Sequence, residues 1–352
     1  MAANPISDLD LSLVLSATRN LWEELRGQRL FLTGGTGFFG CWLLESFCHA
    51  NRELGLGASV TVLSRNPDKF RAKCPHLTSD AALTLHCGDV LDFAFPSGEF
   101  RFVVHAATEA SARQAAEDPL AMLSTILVGT ERTLKFAGRC GARKFLLTSS
   151  GAVYGRQPAE ITHMPESHLG APDPLDVASV YGEGKRASEL MCALHQRISV
   201  AAGAGFEAKI ARCWAFCGPH LPMNAHFAIG NFIRDALAGR PISIQGDGSP
   251  RRSYLYAADL TVWLWTVLFR APPLVPINVG SDQDVSILEL AELVAATLSP
   301  TANIQVAKRP LPGAGVARYV PSVSRAKEML GLRESVPLRE SIRRTAAWYS
   351  AN

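Results

Sequence analysis

A glycine-rich turn between a short apolar strand pattern and a helix pattern places the strongest constraint on the fold of this chain. The strand pattern RLFLT covers residues 29–33, three glycines follow it with the spacing G-x-x-G-x-x-G, and a helix pattern continues over residues 41–48. Glycines at this spacing permit a tight turn and let backbone N–H groups approach a phosphate, to which the helix N-terminus adds partial positive charge. The turn therefore predicts a site for the pyrophosphate of a dinucleotide. The residues expected there are Gly34, Gly37, Phe38, Phe39 and Gly40.

Apolar strand patterns alternate with helix patterns through the first half of the chain. Since each strand pattern is apolar along its length, we predict a doubly wound parallel sheet of the Rossmann type, covered by helices on both faces. The pattern loosens after about residue 190, where proline and glycine begin to cluster. We predict a dinucleotide-binding domain over residues 1–190, with a leading helix at 9–26. Residues 191–352 are expected to form mainly a smaller substrate-binding domain, with some segments returning to the sheet.

Charge and cysteine content exclude several classes of protein. The 35 Lys and Arg residues nearly balance 32 Asp and Glu residues and form no basic stripe, which argues against nucleic acid as a partner. The eight cysteines never form a C-x-x-C pair, so we expect reduced, mostly buried thiols in a cytoplasmic protein and no metal site. The most apolar stretch, residues 260–269, is too short to span a bilayer and predicts a buried helix.

The residues after the second and third strand patterns bear on which dinucleotide is bound. A carboxylate commonly binds the adenosine ribose of NAD at the end of the second strand, but Ser64 and Arg65 stand there in this chain. Arg65 could pair with the 2′-phosphate of NADP, or it could stack on adenine or face solvent. NAD and NADP therefore both stay open. Asp89, followed by Val90, is a candidate acceptor for the adenine amino group.

A tyrosine and a lysine one helical turn apart point to proton transfer. Tyr181 has an ordinary pKa near 10 as a free side chain, and Lys185 at the i+4 position lowers the cost of forming its phenolate. Ser150 ends a strand pattern and could hydrogen-bond a substrate hydroxyl. We predict that these three residues are catalytic: Tyr181 accepts the hydroxyl proton while hydride leaves for a nicotinamide. Tyr181 and Lys185 are also expected to contact the cofactor.

These motifs together resemble the extended short-chain dehydrogenases/reductases of the nucleotide-sugar epimerase/dehydratase family. The resemblance covers roughly residues 28–350 and includes SSGAVYG, YGEGK and GDGSPRRSYLYAADL. It implies that Arg252 binds the diphosphate of a sugar nucleotide with help from Arg318, since guanidinium groups bind phosphate in a bidentate manner. The resemblance also implies cofactor contacts at Ala106 and Ala107. Further candidate substrate contacts are Thr108, Glu109 and Ser149, and Asn224 and His226 in the loop after Gly218 and Pro219 could contact sugar, although a lone histidine in a loop is more often structural or exposed to solvent.

Departures from the family pattern narrow the expected reaction. The 4,6-dehydratases of this family carry an Asp-Glu pair directly after the serine/threonine position, and related decarboxylases carry a Glu at the second of these places. This chain has Gly151 and Ala152 there, and neither side chain can move a proton. Ala215 and Cys217 replace the family's usual Asn and Tyr, which argues against a standard UDP-galactose 4-epimerase.

Three hypotheses about function follow. The first is an NAD-dependent isomerase of a nucleotide-diphosphate sugar, either an epimerase or a pyranose–furanose mutase, that oxidises its substrate transiently. The second is an NADP-dependent reductase of a keto-sugar nucleotide, suggested by Arg65. The third is a catalytically idle nucleotide-binding scaffold, against which the complete Ser-Tyr-Lys set argues. A homodimer that works without a membrane or a metal is expected.

Overall fold

The computed structural model describes residues 2–107, 117–201, 203, 205–225, 227–309 and 315–351. Its strands are β1 (Arg29–Thr33), β2 (Ser59–Ser64), β3 (Leu83–Cys87), β4 (Phe102–His105), β5 (Lys144–Ser150), β6 (Glu207–Cys213), β7 (Phe216–Cys217), β8 (Ile242–Ile244), β9 (Arg251–Ser253), β10 (Leu255–Tyr256), β11 (Pro276–Val279), β12 (Asp284–Ser286), β13 (Ile304–Val306) and β14 (Arg318–Tyr319). Its α-helices are α1 (Asp8–Thr18), α2 (Phe38–Leu54), α3 (Pro67–Lys73), α4 (Pro75–Thr78), α5 (Pro119–Arg139), α6 (Val180–Ala201), α7 (Ala228–Leu237), α8 (Ala257–Arg270), α9 (Ile287–Leu298), α10 (Ser324–Leu330) and α11 (Leu338–Ser350).

Seven parallel strands form the main sheet, in the order β11-β6-β5-β4-β1-β2-β3. The chain runs outward from β1 in one direction and then, beginning with β4, in the other. The order therefore reverses between β1 and β4, and a crevice opens there at the carboxyl ends of the strands. Thr33 and His105, the last residues of β1 and β4, are paired at this point. The sheet confirms the predicted Rossmann fold class and places the glycine turn at its ligand-binding edge.

Alternating side chains of β1 pack on opposite faces of the sheet. Leu30 and Leu32 join one apolar cluster, and Phe31 joins another on the opposite side, where its ring centre lies 4.6 Å from that of Phe136. Successive strand residues point to opposite faces, so a strand that is apolar at every position needs cover on both sides. Burial of each such side chain stabilises the fold by about 1.5–3 kcal/mol.

The leading segment is a helix over only part of its predicted length. The α-helix α1 ends at Thr18, and a 3₁₀ helix, Arg19–Leu25, continues the segment. Trp22 from this segment packs on Trp265 of α8, with ring centres 4.8 Å apart. Helix α8 contains the apolar stretch 260–269 and is buried throughout that stretch, as predicted from the sequence.

Segments from the second half of the chain return to the sheet, as expected. Strands β6 and β11 extend it beyond β5, while β12, β9 and β14 form a small separate sheet. A third apolar cluster joins α7, α9 and α11 outside the main sheet. The domain boundary near residue 190 stays a prediction, and α6 passes through it as one continuous helix.

The cysteines form no disulfide. All eight are free, seven of them are buried and Cys87 is exposed. None of the helices in the described part of the chain combines the length and the apolar character needed to cross a membrane.

Candidate active site

The glycine turn after β1 has a backbone that side chains would block. Gly34 has a φ of +74°, and a Cβ atom there would lie 2.3 Å from the carbonyl oxygen of Ala106. A Cβ atom on Gly40 would lie equally close to the backbone of Gly35. Helix α2 begins directly after Gly37, and no side chain caps its N-terminus. The uncapped helix end, approached by a turn in which three of the four residues are glycine, fits the pyrophosphate of a dinucleotide.

The residues predicted to contact adenosine lie at the ends of neighbouring strands. Ser64 ends β2, is buried, and accepts a hydrogen bond from the Asn66 amide at 3.3 Å. Arg65 follows it with an exposed side chain. Asp89 lies just beyond β3, where its carboxylate accepts a hydrogen bond from the Leu91 amide at 3.0 Å. The structure therefore brings Arg65 and Asp89 to the same edge of the sheet, because β2 and β3 are paired and parallel.

The residues after β4 close the cofactor crevice from the other side. Ala106 donates its amide to the Thr33 carbonyl at 3.2 Å, and Ala107 packs on the apolar cluster around Phe31. His105 before them is fully buried, and its ring nitrogens contact the hydroxyls of Thr33 and Thr130 at 2.8 and 3.2 Å. Burial lowers the pKa of His105 to about 3. The imidazole is thus neutral and serves to join β1, β4 and α5.

The three residues predicted to be catalytic come together at the end of β5 and the start of α6. Ser150 accepts a hydrogen bond from the Ala152 amide at 3.1 Å, and its hydroxyl lies close enough to Tyr181 to lower the pKa of that phenol. The buried Lys185 donates to the Thr148 carbonyl at 2.9 Å, and its Nζ lies 5.9 Å from the centre of the Tyr181 ring. This geometry is suited to moving a proton between Tyr181 and a hydroxyl bound beside Ser150.

Burial shifts the pKa values of both proton-handling residues. It raises the pKa of Tyr181, whereas the neighbouring Ser150 hydroxyl favours the phenolate and acts to lower that pKa. Burial also lowers the pKa of Lys185 to about 8. The ammonium is therefore still mostly charged at pH 7, where its positive charge favours proton loss from the neighbouring phenol.

Two aromatic residues that sequence reasoning missed complete this site. Trp214, after β6, and Tyr319, in β14, lie with ring centres 4.4 Å apart. Burial raises the pKa of Tyr319 to about 12, and the nearby Ser150 hydroxyl acts in the opposite direction. The sequence drew attention only to their neighbours. Trp214 precedes Ala215, which replaces the family's usual Asn, and Tyr319 follows Arg318, a predicted diphosphate contact.

These two aromatic side chains close the space beside Gly151. A Cβ atom on Gly151 would lie 2.7 Å from the Trp214 ring and 2.8 Å from the Tyr319 hydroxyl. Such contacts are too short for any larger side chain unless its neighbours move. The position where dehydratases of the family carry an acidic residue therefore has no room for one here. Ala152 beside it carries only a methyl group.

The two arginines predicted to bind diphosphate lie on opposite faces of the small sheet. Residues paired across strands share a face and successive residues alternate, so Arg252 shares a face with Tyr319, whereas Arg318 shares one with Arg251. The Arg252 guanidinium lies 5.8 Å from the Tyr319 ring centre, whereas Arg318 pairs with Asp284 at 3.1 Å. The structure brings Arg252 towards the catalytic residues, and it does not support a joint contact of both arginines with one diphosphate.

Of the other predicted substrate contacts, Ser149 is engaged in a buried ion-pair network. Its hydroxyl donates to Glu189, which also forms two hydrogen bonds with Arg212, at 2.7 and 2.9 Å. Because successive strand residues alternate, the Ser149 side chain points away from that of Ser150, and this placement does not favour a substrate contact. Asn224 is exposed in the loop before α7. Thr108, Glu109 and His226 lie outside the described residues.

Comparison with known proteins identifies the family of this chain and agrees with its fold. The model of the NAD dependent epimerase/dehydratase family matches residues 30–280, more than two thirds of the chain. UDP-glucuronic acid decarboxylase 3 of Arabidopsis thaliana is 34% identical over 315 residues, which is 89% of this chain and 86% of the relative. UDP-glucuronic acid decarboxylase 1 of Danio rerio is 29% identical, over 99% and 80% of the two chains.

Solved structures show the same fold at lower identity. The UDP-glucose 4-epimerase of Thermotoga maritima superposes with a TM-score of 0.76 and is 20% identical, over 92% of this chain and 99% of its own. The dTDP-glucose 4,6-dehydratase DesIV of Streptomyces venezuelae gives a TM-score of 0.77 and 23% identity, over 92% and 98%.

The fold and the site define an enzyme of the extended short-chain dehydrogenase/reductase class. The chain belongs to the NAD dependent epimerase/dehydratase family, which confirms the resemblance seen in the sequence and the prediction of NAD as cofactor.

Proposed function

We propose that this protein is an NAD-dependent isomerase of a nucleotide-diphosphate sugar, either an epimerase or a pyranose–furanose mutase. The observation that supports this proposal is the pairing of a complete Ser150–Tyr181–Lys185 set with a closed space at Gly151. Oxidation of a hydroxyl needs only the first of these features. Elimination of water needs a further acid and base, and neither Gly151 nor Ala152 supplies one.

Ser150, Tyr181 and Lys185 have separate roles in the proposed transient oxidation. Ser150 holds the substrate hydroxyl by a hydrogen bond, and Tyr181 Oη takes the proton of that hydroxyl. Lys185 stabilises the phenolate through its charge. The glycine turn would hold NAD, whose nicotinamide would supply the hydride-transfer chemistry. Tyr181 then returns the proton to the new alkoxide. Between the two hydride transfers the keto-sugar either rotates in the site, so that its opposite face meets the cofactor, or changes its ring form.

Arg252 is proposed to hold the diphosphate of the substrate, and Arg318 offers a matched control. We expect Arg252→Ala to weaken sugar-nucleotide binding by about ten- to a hundredfold, since a lost charge-assisted contact costs about 1.5–3 kcal/mol. Arg318→Ala removes a guanidinium from the opposite face of the same sheet and should leave affinity nearly unchanged. Calorimetric titration with nucleoside diphosphates measures both. Equal losses in the two variants would contradict the separate placement, and an unchanged affinity in Arg252→Ala would exclude Arg252 from the phosphate site.

A second candidate, decarboxylation of a sugar-acid nucleotide, is favoured by the relatives. The similar proteins named above are UDP-glucuronic acid decarboxylases. Oxidation of a hydroxyl β to a carboxylate produces a β-keto acid, which loses CO₂ without a second general acid and base. Ala152 stands where related decarboxylases carry a Glu, so the chain departs from their sequence pattern, although the loss of CO₂ itself needs no carboxylate there. UDP-glucuronic acid is therefore an essential substrate to test, and release of CO₂ from it would favour decarboxylation over isomerisation.

Cofactor consumption distinguishes the proposed isomerase from a net reductase. The reductase is the alternative function that Arg65 suggested in the sequence. An isomerase regenerates its cofactor in each turnover, so product should form in large excess over NAD with no lasting change in NADH absorbance. A reductase instead consumes one NADPH for each keto-sugar nucleotide reduced. Nucleoside diphosphate hexoses, pentoses and 4-keto-6-deoxy sugars, supplied with either cofactor, distinguish the two. Stoichiometric loss of NADPH, or no conversion of any sugar nucleotide, would contradict the isomerase proposal.

We also propose that the protein is a homodimer joined through α5 and α6. Leu190, Leu194 and Ile198 form an exposed apolar stripe along α6 with a spacing of four residues, and Val128 of the adjoining α5 is also exposed. An unpartnered stripe of this kind is typical of a helix that packs against a second copy. Light scattering should give twice the 37.9 kDa chain mass. The monomer mass at micromolar concentration would exclude this dimer.

A further inference from the structure

A cluster of metal-ligating side chains lies behind the glycine turn, apart from the catalytic residues. Sγ of Cys41, Sγ of Cys74 and a ring nitrogen of His220 all lie within 4.8 Å of one another, and all three residues are buried. Cys41 belongs to the first turn of α2, Cys74 joins α3 to α4, and His220 follows β7. Sequence reasoning looked for paired cysteines close together and missed this set, because the fold assembles it from three distant segments.

His220 has two features that ordinary packing does not explain. Its φ is +67°, a left-handed conformation that is uncommon for residues other than glycine. Its Nδ1 is buried and has no hydrogen-bond partner among the residues that the structure describes. An unpaired buried nitrogen is destabilising and rare in folded proteins. The left-handed backbone and the unpaired nitrogen both cost free energy, and binding of a ligand by Nδ1 would account for both.

The other ring nitrogen of His220 is held by a buried carboxylate. His220 Nε2 lies 3.4 Å from Oε1 of Glu45, and His76 Nε2 lies 3.1 Å from the same oxygen. The second oxygen of Glu45 accepts the Ile6 amide at 2.7 Å. In protein zinc sites a carboxylate commonly accepts the proton of the imidazole nitrogen that does not bind the metal, which fixes the tautomer and the ring orientation. Glu45 is placed to do this for His220.

The two thiols lie close together in the cluster. Sγ of Cys41 and Sγ of Cys74 are within 4.8 Å of one another, and both cysteines are buried. A thiolate is the form of cysteine that binds metal ions. The ligand atoms of a tetrahedral site with bonds of about 2.0–2.3 Å lie roughly 3.3–3.8 Å apart, so an inward movement of about 1 Å or less would complete the geometry.

We propose that Cys41, Cys74 and His220 bind one Zn²⁺ ion, with His220 using Nδ1 and Glu45 orienting its imidazole. Thiolate and imidazole ligands are the set that zinc prefers, and a water molecule completes the tetrahedron. The thiols release their remaining protons to solvent as the ion binds.

The proposed zinc site adjoins the glycine turn and lies where three segments of the chain meet. Cys41 Sγ contacts the Thr36 carbonyl in the glycine turn at 3.9 Å, and Lys73 donates to the same carbonyl at 3.3 Å. Trp42, next to Cys41, donates to the carbonyl of Pro219, next to His220, at 2.9 Å. Zinc would join the start of α2, the α3–α4 junction and the loop after β7. We expect bound zinc to raise the unfolding temperature.

Metal analysis of the full-length protein tests the site directly. The protein is purified with a non-thiol reductant, loaded with Zn²⁺ and desalted, and the expected result is one zinc ion per chain. Titration of chelator-treated protein with Co²⁺ should produce thiolate-to-cobalt charge-transfer absorption and the visible bands of tetrahedral cobalt. Cys41→Ser, Cys74→Ser and His220→Gln should each lose both signals. Cys48→Ser replaces another buried cysteine of α2 outside the cluster and should keep them.

Several outcomes would overturn the proposal. Wild-type protein that holds far less than one zinc ion and gives no thiolate–cobalt absorption lacks the site, whatever the variants do. Zinc content that is unchanged in all three ligand variants would place the ion elsewhere. A Cys41–Cys74 disulfide in air-oxidised protein, with no metal bound after reduction, would show a thiol pair rather than a metal site. These measurements are independent of turnover, so they stand apart from the proposed isomerase activity.

Discussion

Replacing Tyr181 with Phe is expected to lower turnover by about 10²- to 10⁴-fold while leaving NAD affinity nearly unchanged. The substitution removes only the phenolic oxygen, which lies near the Ser150 hydroxyl and is proposed to accept the substrate proton. Positioned proton transfer commonly contributes a factor of this size. Steady-state turnover of the converted sugar nucleotide measures the first effect, and fluorescence titration with NAD measures the second.

Tyr256→Phe is the matched control for this change. Its hydroxyl is also buried and donates to Asp10 at 2.8 Å, but it lies in the contact between α8 and the N-terminal helix. Loss of that hydrogen bond should cost stability, on the order of 1 kcal/mol, and leave turnover intact. Activity of Tyr181→Phe within about tenfold of the wild type would refute Tyr181 as the base, because that loss is smaller than proton transfer contributes.

Replacing Lys185 with Ala should reduce turnover by at least about 10²-fold and also weaken NAD binding. The buried ammonium donates to the Thr148 carbonyl and, with its pKa near 8, is mostly charged at neutral pH. Its removal takes away the charge that favours the phenolate. If the ammonium also contacts the nicotinamide ribose, NAD affinity should fall about ten- to a hundredfold, the cost of one charge-assisted hydrogen bond.

Lys209→Ala provides the comparison for Lys185. Lys209 is also a buried lysine, in β6, but it donates to the Ala271 carbonyl and pairs with Glu207. Its loss should affect the unfolding temperature and leave NAD affinity unchanged. If Lys185→Ala kept normal NAD affinity, the cofactor role of Lys185 would be excluded, and normal turnover would exclude its catalytic role.

The features that could be predicted from the sequence are those encoded over short distances. The glycine turn lies within seven residues between a strand and a helix, and the Tyr181–Lys185 spacing is one helical turn. Each carries its structural meaning in adjacent residues. The alternation of strand and helix patterns was sufficient to predict the fold class, because parallel strands buried on both faces must be apolar at every position.

The features that were missed depend on contacts between distant parts of the chain. Tyr319 reaches Ser150 from a strand of only two residues, which is too short to show a periodic pattern. The same short strand decides that Arg252 and Arg318 lie on opposite faces, and a shift of pairing by one residue would reverse that arrangement. The cluster of Cys41, Cys74 and His220 spans 180 positions of sequence and has no local spacing rule.

The mass of the product tests the proposed isomerisation most directly. The full-length protein is incubated with NAD and separate nucleotide sugars, including UDP-glucose and UDP-glucuronic acid, and the products are separated and weighed by mass spectrometry. Because Gly151 is closed off by Trp214 and Tyr319 and Ala152 has no carboxylate, the expected product is a new sugar nucleotide with the same mass as its substrate. A product lighter by one water, or by one CO₂, formed at a rate comparable to turnover would contradict the isomerase assignment and identify a dehydratase or a decarboxylase instead.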